Sequence, residues 1–482
     1  MTTPPFLFTF EEIQEAVPSG RWMNLSSSFS AGGGVTGIST DTRELTPGSC
    51  FIALTGERFD AHEFLDRAVS LGATLLCVEE RKADKVPPGV PALLVESPLK
   101  AYQKLAAFHR KRFPHLKVVA LTGSCGKTGT KETLRAIFSK AYGAERVLAT
   151  EGNTNNQIGV PRNLLRLTER HEIAVIEMGT NHHGEIEPLS ETAEPDAGLI
   201  VSIGNCHLEF LGSLEGVAQE KSKIFSHLRK DGIAVLPECS AGGEILREAS
   251  SSFRQVLFGE GESADFQVRY LGGNVSGSAF ELIRKETGES IRIDWLLSGR
   301  HHAVNAAGAA ALASSLGIPM QTIGKGIADT VLPGMRMRRS FHHGALWIND
   351  AYNANPDSMK AAIEWLSEFA DPASLVLVLG DMGEIGVSGP AAHRNVLELA
   401  LSRFPKARIL AVGPQMTEAF DAIRSSECTK NGICGRKAFH AFPDSGSAGK
   451  EILNWVKEGD TVFLKASRST ALEKVEPDHE DL

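Results

Sequence analysis

This 482-residue chain lacks the cysteine pattern of a disulfide or thiolate-zinc framework. Its seven cysteines (Cys50, Cys77, Cys125, Cys206, Cys239, Cys428, Cys434) are odd in number, scattered and free of any CxxC pair. Reduced thiols are expected. Blocks of lysine or arginine are also missing, and 50 basic residues against 59 acidic ones leave a net charge of -9, which removes the electrostatic footprint of a nucleic-acid binder. Long apolar runs are absent: the Ala-rich stretch from Ala306 to Ile318 is too short to cross a bilayer. The opening MTTPPFLFTFEEIQEAV lacks a basic region and meets acidic residues early, unlike a signal peptide. A cytoplasmic protein with no membrane insertion is the expectation. There is no repeat of fixed period and no low-complexity tract, and the acidic EPDHEDL reads as a frayed end.

What is present is an ordinary globular composition, 42% hydrophobic and 23% charged. The length is about three times that of a usual single domain, so two or three cores and the clefts between them are expected. From Gly37 to about Pro114, short apolar runs (CFIAL, TLLCVEE, PALLVES) alternate with helical stretches (HEFLDRAVSLG, LKAYQKLAAFHRKRF). A second series starts at the buried run KVVALTGS, which leads through a glycine turn to the helix-forming TKETLRAIFSKAYG; IAVIEMG, AGLIVSIG and GIAVLP continue it up to Leu332-Pro333-Gly334. A third contains ALWIND, SLVLVLGD, RILAVG and TVFLKAS. The expected fold is α/β in three domains. These are a small N-terminal α/β domain (1–115), a central domain with a mostly parallel sheet flanked by helices (116–334), and a doubly wound, Rossmann-like C-terminal domain (335–482).

Leu121-Thr122-Gly123-Ser124-Cys125-Gly126-Lys127-Thr128 lies between a strand and a helix, where backbone N–H groups and the helix dipole make an anion site. The strict G-x-x-x-x-G-K-[ST] pattern misses it, because Leu121 stands where the first glycine would be; the loop is of the variant TGxxGKT type. Lys127 can neutralise β- and γ-phosphate charge and the Thr128 hydroxyl can ligate Mg2+. The loop alone does not separate a kinase, a motor, a synthetase or a transporter subunit. Glu177 ends an apolar strand, at the edge where open α/β sheets gather ligands. His207 follows another strand, and Lys221 sits on the next helix. Read singly, such a Glu could cap a helix, such a His could be structural, and Lys221 would be solvated surface.

Taken together, ISTDTRELTPGSCFIAL with GERFDAHEF, TGSCGKTGTKE, EGNTNNQIGVP, EMGTNHHGEIE, HLEFLGSLEGVAQEKSKIF, GRHHAVNAAGAAALA, LPGMRMRR, NDAYNANPDSM, LVLGDMGEIG and KASRS resemble the Mur ligase family across all three domains. NTNNQIGVP, GTNHHGEIE, NDAYNANPDSM and LGDMGEIG resemble the members that add D-alanyl-D-alanine to a UDP-muramoyl tripeptide. The resemblance implies an ATP-dependent amide-bond ligase acting through an acyl phosphate. It implies that Gly123, Ser124, Cys125, Gly126, Lys127, Thr128, Gly129 and Asn305 bind ATP, joined by Arg336 and Asp350 when the domains close. It implies that Thr128, Glu177, His207 and a carbamylated Lys221 hold Mg2+, two ions in all, with Lys127, Glu177, His207 and Lys221 as the catalytic set. Ser39, Thr40, Asp41 and Arg43 fall where the family binds the UDP part of the substrate, and Asn153, Thr154, Asn155 and Asn156 face the muramoyl side. Asn353 and Asn355 are further substrate-binding candidates.

The chain is expected to act as a monomer on small-molecule substrates. Two departures from the family pattern stand out: Gly129 replaces the usual Thr or Ser, and Ala61 replaces a common Gly. Cys125, beside a helix N-terminus, is a spacer whose thiol pKa the dipole could lower. Three other readings remain open. One is the ligase that adds diaminopimelate or lysine to the dipeptide precursor, which NANPDSM argues against, or a related ligase outside cell-wall synthesis. The second is a P-loop kinase or regulatory NTPase that needs no amine acceptor. The third is a non-catalytic sugar-nucleotide binder.

Overall fold

Short β-branched and Leu-rich runs form strands here because helices on both faces of each sheet bury them. The structure, a computed structural model, describes residues 6–25, 32–56, 59–427 and 438–477. Its N-terminal sheet runs in the order Arg21–Met23, Ala92–Val95, Leu75–Glu79, Cys50–Ile52, Ile38–Ser39. All neighbours are parallel except the first pair. The helix Pro98–Lys111, started by the Ser97 side chain and a proline in its first turn, packs Tyr102 and Leu105 into the core formed by Phe8, Ile13, Leu75 and Leu93.

The central sheet has nine strands, in the order Glu289–Trp295, Gly277–Arg284, Phe266–Asn274, Arg254–Gly259, Ile233–Pro237, Ala197–Ile200, Lys117–Thr122, Ile173–Glu177, Val147–Ala149. It is parallel apart from the two strand pairs between Phe266 and Trp295. This antiparallel ribbon is not singled out by the sequence reading. Its strands are half exposed and alternate, Gly277–Arg284 burying every second residue, so no continuous apolar run marks them. Register does the positioning: Glu177 pairs with Leu121 and Ile200 with Thr122. The phosphate loop, Glu177 and the segment after Ile200 therefore leave the sheet side by side at its carboxyl edge.

The helix Lys127–Tyr142 begins three residues before the TKETLRAIFSKAYG stretch, directly behind Gly126. Arg300–Ser315 is buried along the alanines from Ala306 to Ala313. Its small side chains allow close approach, and a Cβ on Gly308 would lie 2.9 Å from the Phe258 ring. Among the described residues no helix is long and apolar enough to cross a membrane.

The C-terminal sheet runs Arg338–His342, Ala345–Asn349, Thr461–Lys465, Leu375–Gly380, Arg408–Val412, Phe439–Phe442. Only its first pair is antiparallel, and apolar clusters fill both faces.

Candidate active site

Gly126 takes the left-handed conformation, φ +81°, and a Cβ there would lie 2.4 Å from Asn305 Nδ2, so Asn305 packs directly on the phosphate loop. The loop is tied to the segment after Ile200. Ser124 N donates to Ser202 O at 2.9 Å, Cys125 N donates to Ser202 Oγ at 2.9 Å, and Gly204 N donates to Ser124 Oγ at 2.9 Å. These bonds hold the loop's shape from outside it. Lys127 folds back to donate to Gly123 O at 2.7 Å, within a short swing of the anion site.

Thr128 and Glu177 meet at 3.4 Å, Oγ1 to Oε1, and Asn155 Nδ2 donates to the same Glu177 oxygen at 2.8 Å. Glu177 N donates to Thr150 Oγ1 at 2.9 Å, and both partners of the carboxylate are side chains rather than helix N–H groups. The other oxygen, Oε2, is buried without a hydrogen-bond partner among the described residues. So is the Nζ of Lys221, which is fully buried. The surface position read for Lys221 alone is thus corrected: it lies on the inward face of the helix Leu214–Ser222 with Val217 and Ala218. Burial, helped by the neighbouring Lys127 charge, lowers its pKa to about 8. Two unpartnered buried polar atoms beside an anion-binding loop require something to satisfy them.

His207 has a left-handed backbone, φ +51°, at the start of the short helix Leu208–Leu211. Its ring Nδ1 is bonded by the Glu384 carboxylate of the C-terminal unit. No group of three or more His, Cys, Asp or Glu among the described residues is placed to hold a metal.

The C-terminal unit reaches the loop at several points. Arg336 donates to Thr128 Oγ1 at 3.2 Å and lies 3.7 Å from the centre of the Tyr352 ring. Asn355 caps the helix Pro356–Leu366, receiving Ser358 N at 2.9 Å, and its side chain lies 3.1 Å from Cys125 Sγ. Asp357 accepts Asn205 N at 2.7 Å. Asp350 is paired with Lys465, whose amine also lies 3.4 Å from Asn353 O. Asn353 Oδ1 accepts Ala354 N at 2.9 Å. Near this pair, burial lowers the His302 pKa to about 4. Asn205, Ser202, Tyr352, Asp357, Glu384 and Lys465 are missed by the sequence reading, although all lie in or beside stretches already quoted. Their signal was their proximity to those motifs.

One expectation is reversed. Burial raises the Cys125 thiol pKa despite the adjacent helix N-terminus, because loss of hydration at this half-buried thiol outweighs a partial dipole charge.

The remaining candidates sit further out. Ser39 Oγ accepts Asp41 N at 3.1 Å, and Arg43 N donates to Asp41 Oδ1 at 2.9 Å. The Arg43 guanidinium pairs with the same carboxylate, lowering the Asp41 pKa to about 2. The turn is thus a local Asx network, with Thr40 within it and Arg43 mostly exposed. In the second loop Thr154 is held by Asn163 Nδ2 at 2.9 Å, Asn156 Oδ1 accepts Gly159 N at 2.9 Å, and Asn153 O accepts Asn155 N at 2.8 Å. Only Asn155 reaches Glu177. Arg162 pairs with Glu44 at 3.0 Å, joining this loop's helix to the N-terminal unit.

Residues 121–313 match the Mur ligase middle domain, and residues 335–468 match the Mur ligase glutamate ligase domain. The UDP-N-acetylmuramoyl-tripeptide–D-alanyl-D-alanine ligase of Escherichia coli is 38% identical over 440 residues, covering 91% of this chain and 92% of that protein. Among solved structures, MurF from Acinetobacter baumannii superposes with a TM-score of 0.85 at 31% identity over 98% of each chain. MurF from Thermotoga maritima in complex with ADP superposes with a TM-score of 0.77 at 26% identity, over 91% of this chain and 95% of that one.

Proposed function

Because the chain belongs to the Mur ligase family, we propose that it joins D-alanyl-D-alanine to a UDP-N-acetylmuramoyl tripeptide with ATP, giving the pentapeptide precursor of peptidoglycan in the cytoplasm. The observation that carries this is the likeness to ligases of that activity over nearly the whole chain, at 38% and 31% identity. A kinase or regulatory NTPase sharing only the loop has no reason to match beyond it. Residues 1–115 form the UDP-substrate unit, 116–334 the ATP unit, and 335–482 the unit that closes over ATP and receives the dipeptide.

The donor set fits Mg2+: hydroxyl and carboxylate oxygens at Thr128 and Glu177, with Glu177 Oε2 buried and unpartnered. His207 adds an imidazole, and a CO2-derived carbamate on Lys221 would add two further oxygens. Two bound ions would screen the charge of the transferring phosphoryl group. The tripeptide carboxylate attacks the γ-phosphorus and ADP leaves. The dipeptide amine then attacks the acyl phosphate carbonyl, releasing phosphate and a proton. Lys127 leaves Gly123 O to meet the phosphates, and Arg336, already at Thr128 Oγ1, adds a second positive charge. Asn155 holds Glu177 in place. Ser39, Thr40, Asp41 and Arg43 receive the UDP part, and Asn153, Thr154 and Asn156 the muramoyl side. Asn353, Asn355 and Asp350 stand on the closing unit, and Asp350 reaches the nucleotide together with Asn305 of the ATP unit, which packs on the phosphate loop. The seated C-terminal unit keeps water from the acyl phosphate.

The test is ADP and phosphate release with Mg-ATP, offering tripeptide and dipeptide separately and together, with product mass read out. Turnover that needs both, giving one added dipeptide, is expected. Equal ATP consumption without the amine or without the tripeptide overturns the ligase reading.

A further inference from the structure

His207 and Glu384 meet across the seam between the central and C-terminal units. Both are non-glycine residues with left-handed backbones, φ +51° and φ +58°, a conformation that side chains with a Cβ avoid unless the surroundings impose it. The turn carrying Glu384 packs tightly on the helix carrying His207. Gly386, itself at φ +61°, leaves room for only 3.0 Å between a built Cβ and Glu209 Cα. The Glu384 carboxylate bonds ring Nδ1 of His207. An ionised carboxylate can only accept, so Nδ1 carries a proton, and in the neutral imidazole this tautomer leaves the lone pair on Nε2.

Resting on the reading of His207 as a metal ligand, we infer that Glu384 is a positioning residue: delivered by the seated C-terminal unit, its carboxylate fixes the His207 tautomer and ring orientation so that Nε2 faces the metal. Metal ligation and domain seating are then one event. The ion is held fully only when the unit that closes the site is in place, and an open enzyme presents an imidazole free to rotate and to take either tautomer. Carboxylates in this relation to a ligating His change metal affinity strongly.

The test measures Mn2+ binding to the intact protein in the presence of ADP, by the electron paramagnetic resonance signal of free Mn2+. Wild type, His207→Ala, Glu384→Ala and Glu384→Gln are compared, with ADP affinity in EDTA as the control for an intact nucleotide site. Glu384→Ala is expected to raise the apparent Kd for Mn2+ by about 10- to 100-fold while ADP affinity in EDTA holds. Glu384→Gln, whose amide oxygen still accepts from Nδ1, should lie closer to wild type than to Glu384→Ala. If His207→Ala weakens Mn2+ binding and Glu384→Ala does not, the positioning role is overturned and the ligand reading stands. If His207→Ala leaves Mn2+ binding unchanged, both fall together. A fall in ADP affinity in EDTA matching the Mn2+ loss shows a merely structural clamp and also overturns the inference.

Discussion

The Asp357 carboxylate, in the first turn of the helix Pro356–Leu366, accepts the backbone N–H of Asn205 at 2.7 Å. The same oxygen lies against Gly204, where a Cβ would come within 2.2 Å of Asp357 Oδ2. Since Gly204 also bonds Ser124, the C-terminal unit grips the segment that shapes the phosphate loop. Asp357→Ala leaves that N–H without its acceptor, a loss of about 1–3 kcal/mol. The KM for ATP should therefore rise about 5- to 150-fold with folding retained, measured by steady-state kinetics. An unchanged KM would show that the contact does not hold the units together.

Two glycines of the loop region answer oppositely to a methyl group. Gly126→Ala forces a side chain into the left-handed region, at about 1–2 kcal/mol, and displaces Asn305, whose Nδ2 lies 2.4 Å from the built Cβ. ADP affinity should fall at least about tenfold by calorimetry, since 1.4 kcal/mol is one decade. Gly129 sits inside the helix Lys127–Tyr142, and a Cβ there meets only Leu332 Cδ2 at 3.7 Å. Gly129→Ala should raise the melting temperature, with a gain of up to about 0.5–1 kcal/mol. A lowered melting temperature would mean that the family's usual side chain has no room here.

The strands that place the site were legible because they are buried on both faces and read as continuous apolar runs, as in KVVALTGS and IAVIEMG. The ribbon from Phe266 to Trp295 was not, because a half-exposed alternating strand carries no such signal. Lys127, Thr128 and Glu177 could be placed from local order alone: strand, turn, helix. Lys221 could not, because a lysine on a helix reveals its burial only through what packs on it. The partnerships Glu384 with His207 and Asp357 with Asn205 span 177 and 152 residues of chain, and no single-sequence pattern encodes a pairing at that distance.

Cys125 lies between the phosphate loop and Asn355, 3.1 Å from Nδ2. Its raised pKa makes the thiolate scarce, so alkylation at neutral pH should be slow, slower than at the exposed Cys239. Once attached, an adduct has no room between the loop and the helix cap. Iodoacetamide treatment with peptide mapping should show ADP binding falling in step with Cys125 modification, and Mg-ATP should protect the thiol. Undiminished activity in fully Cys125-modified enzyme would refute this.

Lys221 makes the sharpest pH prediction. Its pKa is about 8 in the folded chain against 10.5 for a free lysine, so between these values the unfolded chain binds more protons than the folded one. Stability then rises with pH across that window. Below about pH 8 the folded protein carries the strain of a buried charge. Above it, the amine is neutral when folded and the strain fades. In CO2-free buffer, urea unfolding should show wild type gaining on Lys221→Met from pH 8 to about 10, and parallel curves would place the amine in water instead. The same neutral amine is the form that attacks CO2, giving a carbamate and a proton. Lys221→Ala should therefore lose ligation and recover part of it with added short carboxylic acids, which supply the anion without the amine. Full activity in that variant with no acid added would remove the carbamate from the mechanism and leave Lys221 a packing residue.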